Sequence, residues 1–403
     1  MFLGISRLPI RPLLVSYGGG HAQIILRLYN AFHGKGHLPH VLALTTAYHT
    51  LKSEGINPLS ITDLLQHEDL IYLDVVQKYI QDSSHPLVPF DHTLAYHAIG
   101  FRDLIEDYNY DQALSLFQAH GRKCFMPINT MRRFLRLLNP DIVITTTSPR
   151  FELAALRAAK REGIPNLAVG DLYLEKEREW ILSGDYADHL AVLNSDVSFR
   201  LSSDGFSAEK IFVTGNPAFD PIVEYRDNHQ LREDLRISLG LNTFTVLFPL
   251  AGGPVAMNGQ SFISKDDAIS KIQTYLCSHP DYTFILRPHP NSSLLTLIIT
   301  CDSVRTLNTN LSPLDSILIS DLIMVEASTM GLEAALMKKP VICIGFTDYV
   351  HYPKYGLASS ALNLDDALTR LAAGSYNTPN NYLLPPVSNA SSNILSLVQK
   401  ILS

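Results

Sequence analysis

The sequence predicts an α/β protein built from two Rossmann-like domains, on three observations. Its 403 residues exceed what one ordinary hydrophobic core accommodates. Short β-rich runs alternate with helical patterns of about 10 to 15 residues, which implies right-handed βαβ units and a parallel sheet. That alternation then starts afresh in the second half of the chain.

In the first half, Pro12–Tyr17 reads as a buried strand, Gly18–His21 as a turn, and Ala22–His33 as a helix with Ile24, Ile25, Leu28 and Ala31 or Phe32 on its apolar face. His40–Leu44 follows as a strand. Met131–Leu138 is helical, Asp141–Thr146 a strand, and Phe151–Glu162 a helix ended by Gly163 and Pro165. Leu167–Val169, His189–Leu193 and Ile211–Thr214 are further strands. Residues 51–122, rich in His, Tyr and Asp, read as an irregular helical insertion. In the second half, Phe244–Phe248, Thr283–Leu286, Leu322–Val325 and Val341–Ile344 are strands, with the clearest helix at Thr329–Met337. The seam is Gly215-Asn216-Pro217 with the charged stretch Glu224–Arg236. The expected domains are 1–218 and 219–385. A final amphipathic helix (386–403) carries Ile394, Leu395, Leu397, Val398 and Ile401.

Composition narrows the function classes. Hydrophobic residues are 46% and charged residues 18%, a globular balance. The net charge of -7, from 32 Lys+Arg against 39 Asp+Glu, repels a phosphate backbone and excludes nucleic acid as the main partner. The longest apolar runs, Ile317–Val325 and Val341–Phe346, fall short of the roughly 20 residues a spanning helix needs. Met1–Ile10 is too short for a signal peptide. Cys124, Cys277, Cys301 and Cys343 form no C-x-x-C pair and read as thiols in a reducing compartment. The expected location is the cytoplasm, with at most peripheral contact at the inner face of a membrane.

Ligands of open parallel sheets bind beyond the carboxyl ends of the strands, so the loops there are the candidate sites. In Gly18-Gly19-Gly20-His21, three glycines permit close backbone approach and the histidine at the helix start is a candidate general base. A structural turn with an exposed histidine is the ordinary alternative. Neither G-x-G-x-x-G, G-K-[ST] nor G-x-S-x-G occurs. The run Glu326–Glu333 opens a helix after Leu322–Val325. Backbone N–H groups with Ser328 and Thr329 suit a phosphate there, and Glu333 suits the hydroxyls of a ribose; a plain serine cap and a solvated glutamate remain open. Arg287-Pro288-His289-Pro290-Asn291 offers a guanidinium and an imidazole to an anion. Leu250-Ala251-Gly252-Gly253-Pro254 is another small-residue loop. Asp171, at the end of Leu167–Val169, is a candidate base or a partner orienting His21, or a structural turn residue. Asp185 and Asp188 suit local capping. No D-x-D occurs, and the fifteen histidines include no H-E-x-x-H, so no metal is expected.

The ordered set Gly18–His21, Asp185–Val192, Val213–Asp220, Arg287–Asn291 and Ser320–Ile342 resembles the GT-B superfamily, which holds nucleotide-sugar glycosyltransferases and UDP-N-acetylglucosamine 2-epimerases. The resemblance spans nearly the whole chain except 51–122. It implies two Rossmann-like domains facing each other across a cleft, with a hinge at the G-N-P segment and a last helix returning to the first domain. It implies catalysis by His21 and Asp171 and donor binding by Gly19, Gly20, Gly252, Gly253, Arg287, His289, Ser328, Thr329, Gly331 and Glu333. In that family a glutamate seven residues before a helix-ending proline holds the donor ribose; Glu333 stands seven before Pro340, with Lys338-Lys339-Pro340 in place of G-K-P. The implied activity is metal-independent transfer of a sugar from a UDP-linked donor to a polysaccharide or lipid-linked acceptor, with no other cofactor. A CMP-linked donor stays open, since His289-Pro290 and Ser328-Thr329 also resemble motifs of bacterial sialyltransferases and Kdo transferases. An epimerase or hydrolase of a sugar nucleotide is the alternative. It is set lower because Thr147-Ser148-Pro149-Arg150 shows no acid, and the loop after Phe248 lacks the histidine and arginines of that branch.

Overall fold

A strand covered on both faces must be apolar on both, and Pro12–Ser16 meets that demand with all five residues buried. It is β1 of a parallel sheet completed by β2 (His40–Ala43), β3 (Ile142–Thr145), β4 (Asn166–Val169), β5 (His189–Val192) and β6 (Ile211–Val213). Their order is β2-β1-β3-β4-β5-β6. The computed structural model describes residues 8–80, 87–250, 262–288, 301–306, 311–326, 328–345, 352–380, 384–385, 387 and 389–403. It divides into two units: Met1–Asp220 with Asn389–Ser403, and Pro221–Ser388.

In the first unit alternate side chains of each strand feed two cores. Leu13, Val15 and Val143 pack with Phe101, Phe117, Phe125 and Phe151. Leu14, Ile142, Ile144 and Leu167 pack with Ile24, Ile25 and Leu28 of α1 (Gly20–Gly34), and with Ile394 and Val398 of the C-terminal helix Ala390–Ile401. That last helix starts at Asn389, whose side chain caps nothing. Asp220 serves instead, accepting from Ala390 N at 2.8 Å and from Ser391 N at 3.0 Å.

The insertion is more regular than its sequence suggests. It holds an 18-residue helix, α2 (Phe90–Asp107), followed by α3 (Tyr110–His120). The apolar period of α2 is hard to read because His92, Gly100 and Asp103 are among its buried positions. Gly100 is a packing requirement: a Cβ there would lie 2.4 Å from the Phe125 ring. Asp103 is 1% exposed and caps α4 (Ile128–Leu138) from a distance in sequence. It accepts from Asn129 N at 2.7 Å, from Thr130 N at 3.2 Å and from the Thr130 hydroxyl, with Arg133 at 3.8 Å. Pro127, at the cap position itself, has no side-chain acceptor to offer. The helix after β3 is α5 (Phe151–Arg161).

The second unit repeats the architecture with β7 (Phe244–Pro249), β8 (Tyr282–Arg287), β9 (Val304–Thr306), β10 (Leu322–Val325), β11 (Val341–Ile344) and β12 (Ser359–Ala361), in the order β12-β11-β10-β7-β8-β9. The two edge strands, three residues each and partly exposed, carry too little apolar pattern to be read from sequence. The charged stretch expected as a seam is mostly helical, in Ile222–Arg226 and His229–Ser238. Its arginines serve α6 (Pro313–Ile319), whose last carbonyls lack helical partners. Arg232 donates to Leu318 O at 3.1 Å, Arg236 to Ile319 O at 2.7 Å, and Lys339 to Ser320 O at 2.7 Å.

The helix after β10 is α7 (Met330–Leu336), and Lys338 just beyond it adopts φ 59°. That left-handed position is where a helix usually ends on glycine, because a Cβ is strained there. Lys338→Gly is expected to raise stability by about 1 kcal/mol in a urea titration. Lys338→Ala, which keeps the Cβ, should leave it unchanged; equal effects would mean the lysine is not strained. Among the described residues no helix is long and apolar enough to cross a membrane.

Candidate functional site

Both sheets reverse their strand order internally, β1 against β3 in the first and β7 against β10 in the second. Loops diverge at such points and leave a crevice at the carboxyl edge. In the first unit the Gly18–His21 turn and the Thr146–Ser148 loop stand there. A Cβ on Gly18 would fall 1.5 Å from Thr46 Oγ1, and Gly19 has φ 68° at the cap of α1, so the turn needs glycine at both. Gly20 is the first residue of α1 and has open space around it. His21 follows.

The His21 ring is held on both edges. Nε2 lies 3.2 Å from Asp171 Oδ2. Nδ1 lies 2.6 Å from Thr146 Oγ1 and 3.0 Å from Ser148 Oγ. The Thr146 hydroxyl donates to Glu152 Oε2 at 2.6 Å. Glu152 is fully buried in the first turn of α5 and also accepts from Tyr17 N at 2.8 Å and Ser148 N at 3.1 Å. Asp171 accepts from Leu172 N at 2.8 Å, while its carbonyl accepts from Asn216 Nδ2 at 2.6 Å. Asn216, part of the expected hinge, is thus a support for the Asp171 loop. The indole N–H of Trp180 donates to Thr147 O at 3.0 Å. About a fifth of the His21 and Asp171 side chains stays accessible.

Charge follows from these contacts. Burial alone would pull the His21 imidazolium down, but the hydrogen bond and charge of Asp171, with the charges of Glu152 and Glu177, hold it up at about 9. Burial pushes Asp171 up, and the hydrogen bond and charge of His21 outweigh it, leaving Asp171 below the usual carboxylate range. Glu152 is pushed up by burial against the opposing His21 charge and the Thr146, Tyr17 and Ser148 hydrogen bonds. His21 is therefore protonated at neutral pH, a different starting state from the neutral base its residue type suggests. Glu152, the second residue of the next helix, sets a carboxyl beside the Thr147–Arg150 segment, which has none of its own.

In the second unit, Arg287 ends β8 with Nη1 fixed on Leu311 O at 2.9 Å and Ser316 Oγ at 2.8 Å. Its charge lies near Glu333, yet burial pushes the Glu333 carboxyl up to about 7. Among the described residues nothing hydrogen-bonds that carboxyl group. Ser328 Oγ accepts from Met330 N at 3.3 Å, which leaves its hydroxyl hydrogen available. The amino end of α7 keeps fewer free donors than expected, because Gly331 N and Leu332 N bond back to Ser328 O and Thr329 O. Thr329, at the cap position, bonds no backbone N–H with its side chain. Gly331 serves packing, since a Cβ would meet the Tyr352 ring at 2.8 Å and Val325 at 2.9 Å. Glu326, missed as a separate group, is 6% exposed and accepts from Ile263 N at 2.9 Å. Gly252, Gly253 and His289 lie outside the described residues.

No protein-family model matches the sequence, and no curated protein matches it. Solved structures do. The Methanocaldococcus jannaschii UDP-GlcNAc 2-epimerase superposes with TM-score 0.62 at 13% identity, over 97% of this chain and 100% of that one. Staphylococcus aureus MnaA, solved with UDP, gives 0.61 at 15% identity, over 98% and 97%. Acinetobacter baumannii MurG gives 0.54 at 14% identity, over 97% and 100%. The chain has the GT-B fold. At these identities the likeness is one of fold, and GT-B proteins of both kinds, epimerase and MurG, share it.

Proposed function

We propose that this GT-B protein acts on a nucleotide-activated sugar, UDP-linked, and transfers the sugar to a hydroxyl of a glycan or lipid-linked acceptor without a metal ion. The observation that carries this reading is the Glu333 carboxyl beside Arg287, without a hydrogen-bond partner among the described residues and at the strand-order reversal of the second unit. A carboxylate there suits the two hydroxyls of a ribose, and Arg287 with the Ser328 and Thr329 hydroxyls suits a diphosphate. Protein donors would then stabilise the departing diphosphate. The first unit contributes proton transfer through His21 and Asp171. The test is a thermal-shift panel of UDP-, CMP-, GDP- and ADP-sugars, since a ligand that binds only the folded state raises its stability. A UDP-sugar response is expected; a cytidine-only response overturns the donor.

The three carboxyls around His21, those of Asp171, Glu152 and Glu177, favour a second reading, a sugar-nucleotide epimerase or hydrolase, which needs an acid and a base but no acceptor. Formation of N-acetylmannosamine from UDP-N-acetylglucosamine alone would select it.

Glu333 gives the donor site a pH dependence of defined sign. Its carboxyl accepts both ribose hydrogens only when ionised, and burial places that ionisation near 7. A UDP-sugar does not itself titrate in this range. Its affinity is expected to fall as pH drops through 7, by up to about tenfold per unit, with Glu333→Gln weak and flat across the same range. A flat wild-type profile would remove Glu333 from the ribose.

A further inference from the structure

The contacts around His21 fix more than its orientation. A carboxylate can only accept, so His21 Nε2 carries a hydrogen toward Asp171. The Thr146 hydroxyl has one hydrogen and gives it to Glu152, so toward His21 Nδ1 it offers a lone pair. Two facing lone pairs would repel at 2.6 Å, so Nδ1 carries a hydrogen as well, and Ser148 Oγ at 3.0 Å is then a second acceptor for it. Burial pushes Glu152 up, and what opposes that rise is the His21 charge with the backbone N–H of Tyr17 on one oxygen and of Ser148 on the other, which favour its carboxylate form. The four side chains form one directed chain, from Glu152 through Thr146 to His21 and Asp171.

We propose that Glu152 is a positioning residue that, through the Thr146 hydroxyl, sets His21 as a doubly protonated ring, so that His21 enters the reaction as a proton donor and Asp171 as its carboxylate partner. Glu152 is fully buried and acts only through its neighbours. The charged and titratable groups facing His21 are Asp171 after β4, Glu152 on α5 and Glu177 beyond the Asp171 loop, all acidic. Tyr186 lies near the same three carboxyls and is held neutral by burial and by their charge. Among the described residues no cation is set against the ring, which keeps its second proton at neutral pH. The balance of the step is simple: Nε2 gives its proton to Asp171 Oδ2 as that carboxyl passes one to a developing anion on the substrate, so Asp171 ends as a carboxylate and the ring remains neutral with hydrogen on Nδ1 until solvent returns the proton. The catalytic half of this inference rests on the nucleotide-sugar reading; the protonation half does not.

Glu152→Gln separates the two. The glutamine keeps the shape and an acceptor for backbone N–H, but its amide donates to Thr146, whose hydroxyl then donates to Nδ1 and reverses the chain. His21 titration, followed by NMR of the imidazole in the full-length protein, is expected to fall by more than one unit. Thr146→Val should lower it similarly, and Thr146→Ser should restore it. Turnover of the UDP-sugar should lose activity on the alkaline side at a correspondingly lower pH, with KM unchanged. A His21 titration that ignores Glu152→Gln and Thr146→Val, while responding to Asp171→Asn, overturns the proposal. A responsive titration with no turnover of any nucleotide sugar leaves the charge assignment standing and overturns the catalytic role.

Discussion

Asp171→Asn is expected to lower turnover of the nucleotide sugar by about 10²- to 10⁴-fold, the usual contribution of a positioned acid–base group. The substitution keeps the acceptor for Leu172 N and nearly the same shape. It replaces the carboxylate oxygen facing His21 Nε2 with an amide nitrogen or a neutral oxygen, and so removes the largest support for the imidazolium. The His21 titration should drop well below 9. Binding of the donor, assigned to Arg287 and Glu333 in the other unit, should be unchanged. Normal turnover beside a lowered titration would show that the pair is structural. The pair also couples folding to pH. The raised His21 contributes stability that is fully present below about 6.5 and lost as pH rises through about 9. The depressed Asp171 contributes stability above its unfolded value and loses it in acid.

Asp103→Ala should destabilise the first unit by about 3 kcal/mol, because it strands the buried backbone N–H and hydroxyl of Thr130. The backbone N–H groups of Asn129 and Thr130 would lose their acceptor, and Arg133 would lose its nearby charge. For a unit of this size that is a fall of roughly 6 to 12 °C in melting temperature. Asp103→Asn, which still accepts from the backbone, should lose less than half as much. A loss below about 0.5 kcal/mol for the alanine variant would mean that solvent caps α4 equally well.

Apart from the short edge strands β9 and β12, the strands of both sheets were legible because burial on two faces demands unbroken apolar runs, as in Leu13–Val15 and Leu322–Val325. The glycine turn was legible for a similar reason, since Gly18 and Gly19 answer a steric demand. Glu152 was not. In sequence it is one acidic residue in the first turn of a helix, where acids are common, and its partner Tyr17 lies 135 positions away. The one available signal was the hydroxyl run Thr145–Ser148 at a strand end, an unusual density of groups that can both donate and accept. Asp103 and Asn216 were hidden in the same way, since each supports a backbone segment remote in sequence.

The chain contains a single tryptophan, and its indole is tied to Thr147, between the two residues that flank Nδ1 of the histidine ring. Tryptophan emission from this protein, excited where its eighteen tyrosines barely absorb, therefore originates at one address. Shifts in its wavelength or intensity report on the surroundings of that ring, without any label having to be attached.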